Sequence, residues 1–240
     1  MSIMEKQTKQ LSIPSAIIVA GFLIMVGLIV TKMPAQNTKV LTDKKQVAEE
    51  PAGAVAQVPV APIDTTDHVR GNANTAQLTI VEYSDTECPF CKTFHTVIQK
   101  AFTKYPGKIA WVYRHFPLDS LHPKARNEAR ATECVASIGG NDAFWKYIDM
   151  IFVNTPSNNK MDPALLPAYA AKIGIDKTKF ATCFASTDMD AKVEADYQDG
   201  VRIGVRGTPH TVLILPDGTQ IPILGADEAK FNLALDTYFK

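Results

Sequence analysis

The most constraining stretch of the chain is a run of six residues, Leu78-Thr79-Ile80-Val81-Glu82-Tyr83, then the turn Ser84-Asp85-Thr86-Glu87, then Cys88-Pro89-Phe90-Cys91. The first six residues are short and mostly apolar, which reads as a strand. From Phe90, apolar residues recur at helical spacing through Phe94, Val97, Ile98, Ala101 and Phe102, and Pro106-Gly107 ends the helix. Ile109 to Tyr113 reads as a second strand. A strand–helix–strand unit brings two strands together in parallel, so an α/β domain is expected.

The pattern then changes. Leu121 to about Tyr197 reads as helical, with Gly139-Gly140, Pro156 and Gly174 as punctuation, and we take it as a helical insertion. Ala125, Ala129 and Val135 fit one helix, and Phe144, Trp145, Ile148, Ile151 and Phe152 fit the next. Leu165, Leu166 and Tyr169, then Phe180, Cys183 and Phe184, fit two more. Strand character returns at Thr211–Leu215 and Ile221–Leu224, separated by the turn Pro216-Asp217-Gly218, and Pro222 suggests an edge strand or a bulge. Asp227 is placed to cap a last helix carrying Phe231, Leu235, Tyr238 and Phe239.

Before this domain stand two segments of different character. Ile13 to Val30 is almost wholly apolar and flanked by lysines. As a helix it spans roughly 26 Å, close to a hydrocarbon core. A cleaved signal peptide is the rival, but Met33-Pro34-Ala35 is a poor site and Ala54-Val55-Ala56 lies far downstream. We read residues 1–12 as a short cytoplasmic N-terminus and 13–32 as a transmembrane anchor. Residues 33–66, rich in Ala, Pro, Val, Gln and charge, read as a flexible tether, with the folded domain at 67–240. Lysines after the span outnumber those before it, which by charge alone places the C-terminal side inside. Large domains cross despite such charge, and the cysteine chemistry points outside.

That chemistry starts from position. Proline is favoured in a helix's first turn, so Cys88 falls at or next to the N-cap. The unpaired N–H groups there and the positive end of the helix dipole favour thiolate over thiol. Cysteines so placed have pKa values of roughly 3.5–7.5, against about 8.5 when free. Cys88 is then the attacking sulfur, and Cys91, one turn further in, resolves the mixed disulfide. Glu82 shares a strand face with Leu78 and Ile80, a carboxyl on a core face six residues before Cys88, placed to pass a proton to or from Cys91. The other two cysteines, Cys134 and Cys183, stand alone, and four cysteines permit three full pairings.

The motifs DHVRGN with LTIVEYSDTECPFC, WVYRHFPL with LHPKA and FWKYIDMIF, and GVRGTPHTVLI carry a resemblance to the DsbA-like disulfide oxidoreductases. That family has a thioredoxin-like fold with an inserted helical domain, and the resemblance covers nearly all of 67–239. It implies that Pro209 is the family's cis-proline beside Cys88, that Thr208 offers its backbone to a bound peptide, and that Pro89 and Phe90 face substrate. It places Glu82 at the family's buried acid and implies a structural disulfide between Cys134 and Cys183. It also implies reduced exported proteins as substrates and a quinone-linked membrane protein as reoxidant. No cofactor is expected, and since the tether is too short and irregular for the separate dimerisation domain that isomerases of this fold carry, a monomer is expected. One departure stands out: the strongly oxidising members carry histidine where this chain has Phe90.

Two other readings stay open. One is a reductase or isomerase of the same fold. The other is a zinc module built from Cys88, Cys91, His95 and His210, although the spacing matches ribbon and finger patterns poorly. His68, His115 and His122 read as surface or hydrogen-bonding residues. Twenty-five basic and twenty-five acidic side chains give no net charge, so no field draws the chain to nucleic acid.

Overall fold

Alternation along Leu78–Ser84 sends Leu78 and Ile80 to one side of a sheet and Val81 and Tyr83 to the other, each into its own apolar cluster. This strand is the centre of the computed structural model, which describes residues 58–240. The apolar run and anchor at 13–32 lie outside the described residues, as does the tether up to residue 57. Among the described residues no helix is long and apolar enough to cross a membrane.

In chain order the elements are β1 (His68–Arg70), β2 (Leu78–Ser84), α1 (Pro89–Lys104), β3 (Ile109–His115), α2 (Ala125–Asn154), α3 (Leu165–Lys172), α4 (Lys177–Ala185), α5 (Asp190–Arg202), β4 (His210–Ile214), β5 (Gln220–Leu224) and α6 (Glu228–Tyr238). The sheet order is β1-β3-β2-β4-β5. β2 and β3 run parallel, with Ile80 opposite Trp111 and Glu82 opposite Tyr113, and the other pairings are antiparallel. This is a thioredoxin-like α/β sheet with helices α2–α5 inserted between β3 and β4. Pro222 lies on the edge strand β5, where its missing N–H breaks no interior ladder. Asp227 caps α6, accepting from the Lys230 N–H at 2.9 Å.

One face of the sheet packs Leu78, Ile80, Trp111, Tyr113 and Leu213 against Phe94 and Ile98 of α1 and Phe231 and Leu235 of α6. The other gathers Val81, Tyr83, Val112 and Phe116. The insertion has a core of its own around Val135, Tyr147, Ile151, Leu166 and Phe180.

Three boundaries differ from the sequence reading. Val60 is buried and its N–H donates to Gln220 Oε1 at 3.0 Å, while Arg114 Nη2 donates to the Ala61 carbonyl at 3.2 Å. The folded chain therefore begins ahead of Asp67, inside the segment read as tether. An extended strap has no hydrophobic period, so composition alone hides it. The insertion also runs past Tyr197 to Arg202, because α5 carries few large apolar residues to mark it. Strand β1, three residues long, is too short for any period to announce. The two helices expected either side of Gly139-Gly140 are present: Ala125–Asn154 is two helices separated by a break at Gly140, where φ 75° suits only glycine comfortably.

Cys134 in α2 and Cys183 in α4 are joined by a disulfide with Cα atoms 5.7 Å apart, spanning 49 residues of chain. Closing a loop of that length restricts the unfolded chain by about 4 kcal/mol on a loop-entropy basis. Replacing both cysteines with alanine should lower stability by about 2–5 kcal/mol in urea unfolding. An unchanged midpoint would show that the bond adds nothing to this fold.

Candidate active site

Cys88 sits at the N-cap of α1 with extended backbone, φ −77° and ψ 121°, and Pro89 opens the first turn. Cys88 is the N-cap residue and its sulfur makes no cap hydrogen bond, so the first-turn N–H groups remain unpaired beside it. The Thr208–Pro209 peptide bond is cis, and Cys88 Sγ lies 3.5 Å from the Thr208 carbonyl oxygen. Cys88 keeps 4 % of its surface, Cys91 keeps none, and both are free thiols. Phe90 stands out into solvent at 64 % exposure, the residue of the motif most open to a partner.

The two sulfurs are pulled in opposite directions. A hydrogen bond from the Cys91 side chain is the largest influence on Cys88. Backbone N–H groups of Cys91 and Phe90 and the Thr208 side chain add to it, and against burial they bring its pKa down to about 6. Burial pushes the Cys91 thiol well up, and its bond to Cys88 and the charges of Cys88 and Glu82 push it further. A thiolate is therefore stable at the helix end and unstable one turn inside.

Glu82 is fully buried on β2. Burial raises its carboxyl to about 7, moderated by the Trp111 indole and the neighbouring Ser84 hydroxyl. Trp111 Nε1 donates to Glu82 Oε2 at 3.0 Å, while Oε1 has no partner. The indole is held in turn by Trp145, with centroids 4.8 Å apart, and by the Arg70 guanidinium 5.3 Å from its ring centre. A carboxyl that titrates near neutrality within electrostatic reach of Cys91 has the chemistry of a proton relay. Trp111 and Ser84 are part of this site and were not singled out by sequence. Only the parallel register, which sets Ile80 opposite Trp111, brings the indole to Glu82.

The four ligands of the zinc reading are not gathered. His95 Nε2 pairs with Asp149 Oδ1 at 2.7 Å, and His210 stands edge-on to Tyr83 in the opposite face of the sheet. Among the described residues no group of three or more His, Cys, Asp or Glu is arranged to hold a metal ion. His68 and His115 are buried, each 2.8 Å from Glu133 Oε1, and His122 Nδ1 is 3.0 Å from Asp85 Oδ2.

Alkylation of the reduced protein should titrate at Cys88 with a midpoint near pH 6. The folded pKa lies below the unfolded value of about 8.5, so the thiolate stabilises the reduced protein fully above that value. The contribution is lost as pH falls through about 6. Urea unfolding of the reduced protein across this range reads the linkage directly. A midpoint of alkylation at about 8.5 would show that the helix end does not act on the sulfur.

The family model described as thioredoxin matches residues 64–223. Among solved structures, DsbA2 of Pseudomonas aeruginosa is 28 % identical, with a TM-score of 0.60 over 73 % of this chain and 95 % of that one. BdbD of Bacillus subtilis superposes with a TM-score of 0.64 over 76 % of this chain and 97 % of its own, at 21 % identity, which speaks for the fold alone. Among curated sequences, the Na+/H+ antiporter NhaA 3 of Salinispora tropica is 33 % identical over 152 residues, 63 % of this chain but 22 % of that protein. The NhaA antiporter of Herminiimonas arsenicoxydans is 30 % identical over 188 residues, 78 % of this chain and 27 % of its own. The chain thus spans about a quarter of the length of the curated relatives it matches. With the family model covering nearly all of the sheet, helix α1 and the insertion, this chain belongs to the thioredoxin family and is similar there to DsbA-type proteins.

Proposed function

We propose that the chain is a membrane-anchored thiol–disulfide oxidoreductase that works outside the cytoplasm and introduces disulfides into exported proteins through Cys88 and Cys91. The observation that carries this reading is the opposed pair of sulfurs, one stabilised as thiolate at a helix end and one buried and held as thiol. A stabilised thiolate favours the reduced state, which makes the disulfide the better oxidant.

In the oxidised enzyme a substrate thiolate attacks Cys88 Sγ, and the Cys88–Cys91 bond breaks. Cys91 leaves with the electron pair and takes a proton, for which Glu82 is the donor at hand. A second substrate thiolate then attacks the substrate sulfur of the mixed disulfide and releases Cys88 as thiolate. The substrate has lost two electrons and the cysteine pair has gained them. The Thr208 backbone and Pro209 hold the extended substrate beside Cys88, and Pro89 and the exposed Phe90 meet its side chains. A quinone-linked membrane protein returns the pair to the disulfide. Residues 13–32 hold the domain at the membrane, in keeping with their length and apolar character.

Phe90 supplies no positive partner for the thiolate. The potential should therefore be less oxidising than about −120 mV, the value of the strongest oxidant of this type, and still above the roughly −270 mV of thioredoxin. Equilibration with glutathione measures it, and a value at or below that of thioredoxin moves the function to reductase.

Cys91→Ala should accumulate mixed disulfides between Cys88 and exported proteins, visible on non-reducing gels. Cys88→Ala should accumulate none, since the remaining sulfur is fully buried with a raised pKa. Equal trapping by the two variants would reverse or abolish the assignment of roles.

A further inference from the structure

The turn between β2 and Cys88 is buried throughout, with Asp85 and Thr86 at 2 % exposure and Glu87 at 0 %, and Glu128 from the first turn of α2 meets it at 2 %. Asp85 is fully engaged. Its Oδ1 accepts from the Glu87 N–H at 2.8 Å, and its Oδ2 accepts from the Leu118 N–H at 2.8 Å and faces His122 Nδ1 at 3.0 Å. Glu87 and Glu128 are different. Their carboxyls are hydrogen-bond neighbours, yet each has one buried oxygen without a partner, Oε1 of Glu87 and Oε2 of Glu128.

Ionised carboxylates only accept, so two of them in buried contact would leave both orphan oxygens unsatisfied and two charges in repulsion. One proton between them removes the repulsion and provides a donor. The groups that act on Glu128 from the packed elements include no cation. They are Glu87, Thr86 and Asp85 on the turn, of which only the neutral Thr86 hydroxyl favours the charged form, and Tyr147 on the second half of α2, with His122 turned onto Asp85. Burial, then the Glu87 carboxyl, hold Glu128 protonated up to about 9.

Glu87 immediately precedes Cys88 in the turn that leads into α1. The Glu87 carbonyl accepts the Asn158 N–H at 2.8 Å, and its Oε2 accepts the Asn159 N–H. Ser157, Asn158 and Asn159 have φ of 60°, 53° and 63°, three left-handed residues in a row without glycine. Such backbone persists only where the surroundings impose it, and it concentrates at functional sites.

We propose that Glu87 and Glu128 share a single proton, and that Glu128 acts through Glu87 as a positioning residue, holding the turn that carries Cys88 against the loop 157–159. The arrangement is independent of whether the cysteine pair oxidises or reduces its substrates. Loss of the shared proton at alkaline pH sets two buried charges against each other and loosens the hold of Glu87 on Asn159.

The test is a carbon-13 and nitrogen-15 NMR titration of the reduced, full-length protein in detergent from pH 4 to pH 10. The Glu128 carboxyl, assigned with Glu128→Gln, should titrate near 9. The Asn159 amide should shift with the same midpoint in the wild type and stay fixed in Glu128→Gln, whose amide donates at every pH. A Glu128 carboxyl titrating at the usual value of about 4.3 overturns the proposal. So does an Asn159 amide that moves alike in both proteins, or a titration that depends on a chelator, which would mean that a bound cation takes the proton's place. Should Glu128→Gln fail to fold, Glu87→Gln supplies the assignment. The wild type then still decides, through a coincident or absent midpoint at Glu128 and Asn159.

Discussion

The Cys88 sulfur sits at the helix end beside the free N–H groups that open α1 and lies against the backbone of the cis Thr208–Pro209 pair. Both contacts come from main chain, so neither depends on a mobile charged side chain. They require that α1 begin at the end of β2 and that the start of β4 lie next to it. β4 pairs with β2 from Thr79 through Tyr83, and this ladder brings the cis-proline loop to the helix end. Extended from that point, the sheet order, the crossing of α1 and the placement of α6 all serve to hold one helix N-terminus against one loop.

The domain holds several buried ionisable groups, and they separate by how they are paired. Arg114 is a satisfied buried cation, donating to Asp67 at 2.9 Å and to Asp199 at 2.7 Å, and it ties the strap 58–67 to α5. Burial works against the charge of Glu133, but bonds from His115 and His68 outweigh it and bring the carboxyl down to about 2. Such paired charges join the insertion to the sheet. Glu82 and Glu128 are the opposite case, with burial dominant, an orphan oxygen each, and carboxyls raised toward neutrality or beyond. Unsatisfied buried acids are costly, and both stand within a few residues of the redox helix or against the turn that leads into it. Structural pairing and titratable chemistry therefore occupy neighbouring but distinct clusters.

The insertion adds its own constraint. Lys92, one residue after Cys91, donates to the Thr155 carbonyl at 2.6 Å, at the end of α2. The redox helix is thus clamped by the sheet below and by the insertion beside it. The Cys134–Cys183 bond, deep in the insertion's separate core, links α2 to α4 away from the reactive pair.

Much of this was legible from local sequence. The alternation of β2, the helical period after Phe90 and the proline at the first turn are short-range signals, and they determine a strand feeding a helix whose first residue is a cysteine. Glu82 was legible for the same reason, since its side follows from a period of two. The partners of those residues were not. Trp111 reaches Glu82 through the register of two strands 29 residues apart, and Glu128 reaches Glu87 through the packing of the insertion. The strap at Val60 and the short β1 carry no period to read. The sequence by itself determined which residues have reactive or ionisable chemistry and which local element presents them. Only the tertiary structure decided which of them lie opposite one another. Burial and hydrogen-bond pairing arise from contacts distant in the chain, and these set whether a carboxyl is a silent anchor or a proton donor.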